Sequence, residues 1–115
     1  MKIVVVKDSI GIREVKELAK EFYVSMIKGV VDVENEILAL GGEYHMDANI
    51  RLLEDGFEQQ DIWGFNIRLD KDPADWIEYV SLINIRPAQG NFDMEIGDVS
   101  LRGKIKDILS ARIKL

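Results

Sequence analysis

The single histidine of the chain, His45, lies two residues from each of two carboxylates, Glu43 and Asp47. On a β-strand alternate residues share a face, so the three side chains would point the same way. A carboxylate–imidazole–carboxylate set of this kind suits a divalent metal such as Mn, Fe(II) or Zn. A buried imidazole oriented by one neighbouring carboxylate could also act as a general base, which makes His45 the one catalytic candidate. Sites built on two histidines, including the HExxH zinc helix, are excluded by composition. A bland reading competes: Glu43 faces Lys28 on a neighbouring strand, Asp47 caps a helix, and His45 is a half-buried strand-end residue. Asp32, on the same hairpin, would lie roughly 13 Å from Glu43 along the sheet, too far to share an ion. Only a sharp bend at Gly41 and Gly42 would bring them together.

A second constellation is NIRPAQGN, residues 84–91. Asn84 and Arg86 alternate onto one face of a strand, and a loop containing proline and glycine then presents Gln89 and Asn91. Such a loop can turn backbone N–H groups towards an anion, and the planar fork of arginine matches a carboxylate or phosphate. The competing reading is a polar strand end whose amides satisfy the backbone of an irregular turn. The acids of DVENE, by contrast, read as a solvated hairpin tip. Trp63, Phe65 and Trp76 read as core at strand spacing.

Several chemistries are absent. There is no cysteine, which excludes disulfides, thiolate nucleophiles and Cys-based zinc sites. No G-x-G pair, phosphate-binding G-x-x-x-x-G-K loop or G-x-S-x-G elbow occurs. A formal charge of −6 disfavours nucleic acid as a partner, because that affinity comes from neutralising phosphates. The longest apolar run of the opening KIVVVKD is four residues, far short of a spanning helix, and the expectation is a cytoplasmic protein without a membrane partner.

The elements that must position these residues follow from hydrophobic spacing. A length of 115 residues suggests one domain, and 47 % hydrophobic with 31 % charged residues is the balance of a globular chain. Lys2 to Val6 is a strand. Ile12, Val15, Leu18, Ala19, Phe22 and Met26 mark one stripe of a helix, with Gly11 and Glu14 resembling a capping box. GVVDVENEILALGG reads as a hairpin turning at Asn35 and Glu36, so that Val33 faces Leu38 and Val31 faces Leu40. Met46, Ile50, Leu53 and Phe57 suggest a short helix capped by Asp47. DIWGFNIRL alternates cleanly, and WIEYVSLINIR, apolar on both faces, reads as a long central strand. A last helix starts near Asp98 and buries Leu101, Ile105, Ile108 and Leu109. The order β-α-β-β-(short α)-β-β-α implies an α+β fold, a mainly antiparallel sheet of about five strands with two main helices on one face. Asn-Ile-Arg recurs at 49–51, 66–68 and 84–86, but the flanking residues differ and one copy falls on a helix, so no repeat is inferred.

The fragments VVDVE, GGEYHMD, LLEDG, DIWGFNI and SLINIRPAQGN together resemble a small family of uncharacterised bacterial proteins, in order over nearly the whole chain. Its first motif reads Glu-Leu-His-Ala-Asp; Glu43, His45 and Asp47 match it, and Tyr44 and Met46 depart. Its second reads Arg-Pro-Ser-Gln-Gly-Asn-Arg; Arg86, Pro87, Gln89, Gly90 and Asn91 match, whereas Ala88 and Phe92 depart. The missing second arginine weakens the anion site. The resemblance implies two candidate patches and no reaction. The leading expectation is therefore a non-enzymatic binding or interaction module, using the sheet surface or the Arg86–Asn91 loop. Its partner would be a protein, a second copy of the chain or a small anionic ligand. The alternative is a small metal-assisted or acid–base hydrolase centred on His45.

Overall fold

A computed structural model describes all residues, Met1–Leu115. The chain runs β1 (Ile3–Val6), β2 (Ile10–Gly11), α1 (Ile12–Ala19), β3 (Met26–Asp32), β4 (Ile37–Gly41), α2 (His45–Glu54), β5 (Ile62–Arg68), β6 (Ile77–Glu78), α3 (Val99–Arg112) and β7 (Ile113–Lys114). Short 3-10 turns at Leu82–Asn84 and Pro87–Gln89 lie between β6 and α3. Five strands form one antiparallel sheet in the order β1-β4-β3-β5-β6, and β2 pairs in parallel with β7. The α+β expectation holds.

Strand alternation divides the side chains between two cores. Ile27 and Val31 of β3, Leu38 and Leu40 of β4, and Trp63, Phe65 and Ile67 of β5 meet Val15 and Ala19 of α1 and Ile105, Ile108 and Leu109 of α3. On the opposite face Val30, Ile37, Ala39 and Ile62 meet Ala48 and Leu52 of α2. The first and last helices share one face as expected, and α2, which is two residues longer than α1, covers the other.

The hairpin register differs by two residues from the sequence reading. Asp32 faces Ile37 and Val31 faces Leu38, leaving Val33–Glu36 as a four-residue loop. The cause is Asp32, fully buried, whose carboxylate accepts from the Glu34 and Asn35 N–H groups and the Asn35 amide. A two-residue turn could not supply those donors. A shift of two keeps every side chain on its face, so the core assignment survives.

Three other expectations are corrected. The α1 stripe ends at Ala19; Phe22 is exposed and Met26 opens β3. The long central strand is instead a two-residue edge strand, β6, followed by irregular backbone. On α2 the buried side chains are His45, Ala48, Asn49 and Leu52, so Met46, Ile50 and Leu53 face outward.

Gly29 shows how tightly the larger core is filled. A Cβ there would lie 2.6 Å from Phe65 Cζ and 2.7 Å from Leu40 Cδ2. Gly29→Ala is expected to destabilise the fold by about 2 kcal/mol through overpacking, read as a lower urea midpoint. An unchanged midpoint would show that Phe65 moves aside freely.

Candidate ligand-binding cleft

The chain leaves β4 through Gly41, whose φ of +112° is open to glycine and whose Cα faces the Lys2 carbonyl; a Cβ would lie 2.4 Å from that oxygen. The bend carries the backbone off the sheet and into α2. Tyr44 is the N-cap, and Asp47, three residues on, accepts from the backbone N–H groups of Glu43 at 3.0 Å and Tyr44 at 2.9 Å. This is the reach-back half of a capping box, so Asp47 stabilises the helix start from within it rather than as the N-cap itself. Asp47→Ala is expected to cost about 1 kcal/mol, measured by thermal denaturation; a null effect would mean that the Glu43–Tyr44 amides are equally well held by water.

The strand geometry that would align Glu43, His45 and Asp47 is therefore replaced by the first turn of a helix. Glu43 is exposed and its carbonyl accepts from the Tyr23 hydroxyl. Asp47 is engaged by backbone, and no group of three His, Asp or Glu is arranged to hold a metal ion. His45 points down onto the sheet, with Nε2 2.9 Å from the Phe65 carbonyl oxygen. A carbonyl only accepts, so Nε2 carries the proton and Nδ1 keeps a free lone pair in the neutral ring. Burial pulls the His45 pKa down to about 4, and the Lys28 charge pushes the same way. The hydrogen bond to Phe65 and the Asn66 amide oppose that shift.

The second patch is built differently from its sequence reading. Beyond β6 the outer edge of β5 has no strand beside it, and side chains take the place of one. The Asn84 amide accepts from Gly64 N–H at 2.8 Å and donates to Gly64 carbonyl at 3.0 Å. Arg86 donates to the carbonyls of Ile83, Gln59 and Ile62 and stacks over Trp63, 4.2 Å from its ring centre. Gln89 donates to the Gln60 carbonyl. Asn91 donates to the carbonyls of Asn84, Asp93 and Glu95 and accepts from Gly97. An open strand edge is a liability, and this network closes it. The four side chains have their polar groups committed inside the chain. His45 does not join them: it anchors at Phe65, three residues along β5 from the Ile62 carbonyl that holds Arg86.

A cleft of about 560 Å³ opens instead between α2, the sheet and the segment 80–83. Its floor is a cross-strand row. Lys28 of β3 faces Asn66 of β5, which faces Glu78 of β6. His45, Lys28, Asn66 and Asp47 line the cleft, with Tyr44, Met46, Leu82 and Met94 forming an apolar rim. Burial lowers the Lys28 pKa, Arg68 adding to the effect and Glu78 opposing it. Glu78 itself is paired with Arg68 at 3.0 Å.

Asn66 is 7 % exposed, and its Oδ1 is the one buried side-chain polar atom without a hydrogen-bond partner. Its Nδ2 lies 3.4 Å from both Glu78 Oε1 and the Val80 carbonyl. Both are acceptors, so turning the amide over would set oxygen against oxygen. An orphaned buried acceptor costs about 1–3 kcal/mol unless something donates to it. Sequence reasoning named His45 but missed Lys28 and Asn66; the available signal was a lone amide inside the apolar run DIWGFNI. A smaller cavity of about 360 Å³ between β6 and α3 is lined by Ile67, Trp76, Ile77, Leu109 and Ile113, with no such orphaned group.

The fold and site thus define an α+β domain with a polar-floored, apolar-rimmed cleft. Residues 4–112 match the family described as "Protein of unknown function (DUF5674)", and the chain belongs to that family. The resemblance read from the sequence fragments is thereby borne out at the level of an uncharacterised family. No curated protein and no solved structure matches the chain. No helix is long and apolar enough to cross a membrane.

Proposed function

We propose that the domain is a non-enzymatic binding module whose site is the cleft over the Lys28–Asn66 row. The observation that carries this reading is the Asn66 Oδ1, buried, unpartnered and at the floor of an opening of ordinary ligand size. The exposed rim supports it: Leu82 is 71 % and Tyr44 63 % exposed, apolar surface that a bound molecule would cover. Of the two surfaces the sequence suggested, the sheet surface and the Arg86–Asn91 loop, this reading keeps the first: the cleft lies over the sheet beside the first turn of α2. The acid–base alternative is disfavoured because a general base works best with a pKa near the working pH, and a pKa of about 4 makes His45 a weak one.

An amide NMR screen with a mixed fragment set of aliphatic acids, amines, amides and sugars tests the proposal. Binding is expected to shift the signals of Tyr44–Met46, Asn66 and Val80–Ile83 together. A screen in which these signals stay still, or in which shifts cluster around Pro87–Asn91, overturns it.

A further inference from the structure

The polar groups of the cleft differ in kind, and the difference restricts what fits. Asn66 Oδ1, which has no hydrogen-bond partner and only the His45 ring beside it, and Nδ1 of neutral His45 are both acceptors, so a ligand N–H could serve either. Lys28, beside Asn66 in the cross-strand row, is a donor carrying positive charge, and no carboxylate lies within ion-pair distance of its ammonium. Opposed Cβ atoms in such a row stand about 5 Å apart, and both residues line the one cleft, so a single small molecule can place an anion at Lys28 and a donor at Asn66; the ammonium itself stands over the Tyr23 ring, 5.3 Å from its centre. The positive end of α2 adds little, because the Asp47 carboxylate already sits there. Beyond the floor, Met46, Leu82 and Met94 offer apolar contact.

Resting on the cleft as the binding site, we propose that the ligand is a small carboxylate with an adjacent N–H and an aliphatic body, either a free α-amino acid or an N-acyl amino acid. The carboxylate meets Lys28, the N–H donates to Asn66 Oδ1, and the aliphatic part lies along the Met46–Leu82 rim. Both sources present the same chemistry at the floor. They differ at His45 Nδ1, which only the ammonium of a free amino acid can also serve with a second N–H.

The probes are L-leucine, N-acetyl-L-leucine, 4-methylpentanoate and 3-methylbutylamine, titrated against the full chain by NMR. The expected result is that leucine or N-acetylleucine binds about tenfold tighter than 4-methylpentanoate, which lacks only the nitrogen. Preference between the first two separates the sources. In Lys28→Gln, a conservative change at a partly exposed position, the carboxylate probes are expected to weaken about tenfold and 3-methylbutylamine to be unaffected. If 4-methylpentanoate matches leucine, or if Lys28→Gln changes nothing, the ligand class is wrong while the cleft stands. If none of the four probes moves the cleft signals but the mixed fragment set does, the class again falls alone. Only silence of the cleft to every compound removes the binding reading itself.

Discussion

Between pH 7 and pH 4.5 the protein is expected to lose about 2.4 kcal/mol of stability through His45 alone. The unfolded chain takes up this proton at the ordinary histidine value of 6.5, whereas the folded chain resists it down to about 4. Between those values the unfolded state binds more protons, so stability falls as pH falls. Above 6.5 the contribution is flat, and below about 4 the loss is complete. His45→Gln removes the titration and keeps a side-chain N–H for the Phe65 carbonyl. Urea denaturation of both proteins at pH 7 and pH 4.5 gives two stability drops, and carboxylate effects common to both cancel in their difference. With no other histidine in the chain, that difference reports one ring. A wild-type drop no larger than that of His45→Gln would mean that the imidazole titrates as if in water and is not packed on β5.

The elements governed by hydrophobic period were legible. DIWGFNIRL placed Trp63, Phe65 and Ile67 in the larger core, and the last helix begins beside Asp98 and buries Ile105, Ile108 and Leu109 as its spacing indicated. The hairpin was read two residues out of register, yet the error did no harm to face assignment because the strand period is two. Helix α2 departs from its hydrophobic pattern. Its apolar stripe at Met46, Ile50 and Leu53 is the outward face, because His45 and Asn49 have buried partners in the Phe65 carbonyl and the Gln59 amide. Two satisfied polar residues rotated the helix away from its hydrophobic pattern. The apolar residues left outside are part of what makes the cleft rim.

The site was half legible for the same reason. His45 stands out in the sequence as the single histidine, and the structure puts it at the cleft. Lys28 and Asn66 meet only through the pairing of β3 with β5, strands separated by all of α2, and no local spacing announces that contact. The segment after β6 was misread as strand because Val80, Leu82, Ile83 and Ile85 are apolar. The decisive residues there were Ser81, Asn84 and Asn91, whose side chains bond backbone and break the ladder into turns.

Asn84→Leu is expected to cost about 4 kcal/mol, lowering the thermal midpoint by about 15 °C. Leucine keeps the branched skeleton of this fully buried side chain but is bulkier, so no cavity opens and mild overpacking adds to the cost. It deletes the amide that pairs both Gly64 backbone groups and the Met94 carbonyl, leaving those groups without partners away from water. Arg86→Lys, which loses the planar fork and the stacking over Trp63, is expected to cost about 2 kcal/mol. Hydrogen exchange at Gly64 N–H discriminates the mechanism: it should accelerate in Asn84→Leu and hold in Arg86→Lys. A small change on Asn84→Leu would mean that water readily replaces the amide at the β5 edge. The same pair of variants separates scaffolding from recognition. The 3-10 turn that Asn84 closes carries Leu82 and Ile83 of the cleft wall, so its loss loosens the site indirectly. Arg86 lies outside the cleft, and a folded Arg86→Lys protein should hold the amino-acid probes as wild type does. Weakened binding in that variant would return the Arg86–Asn91 loop to the binding surface, where the sequence first suggested it.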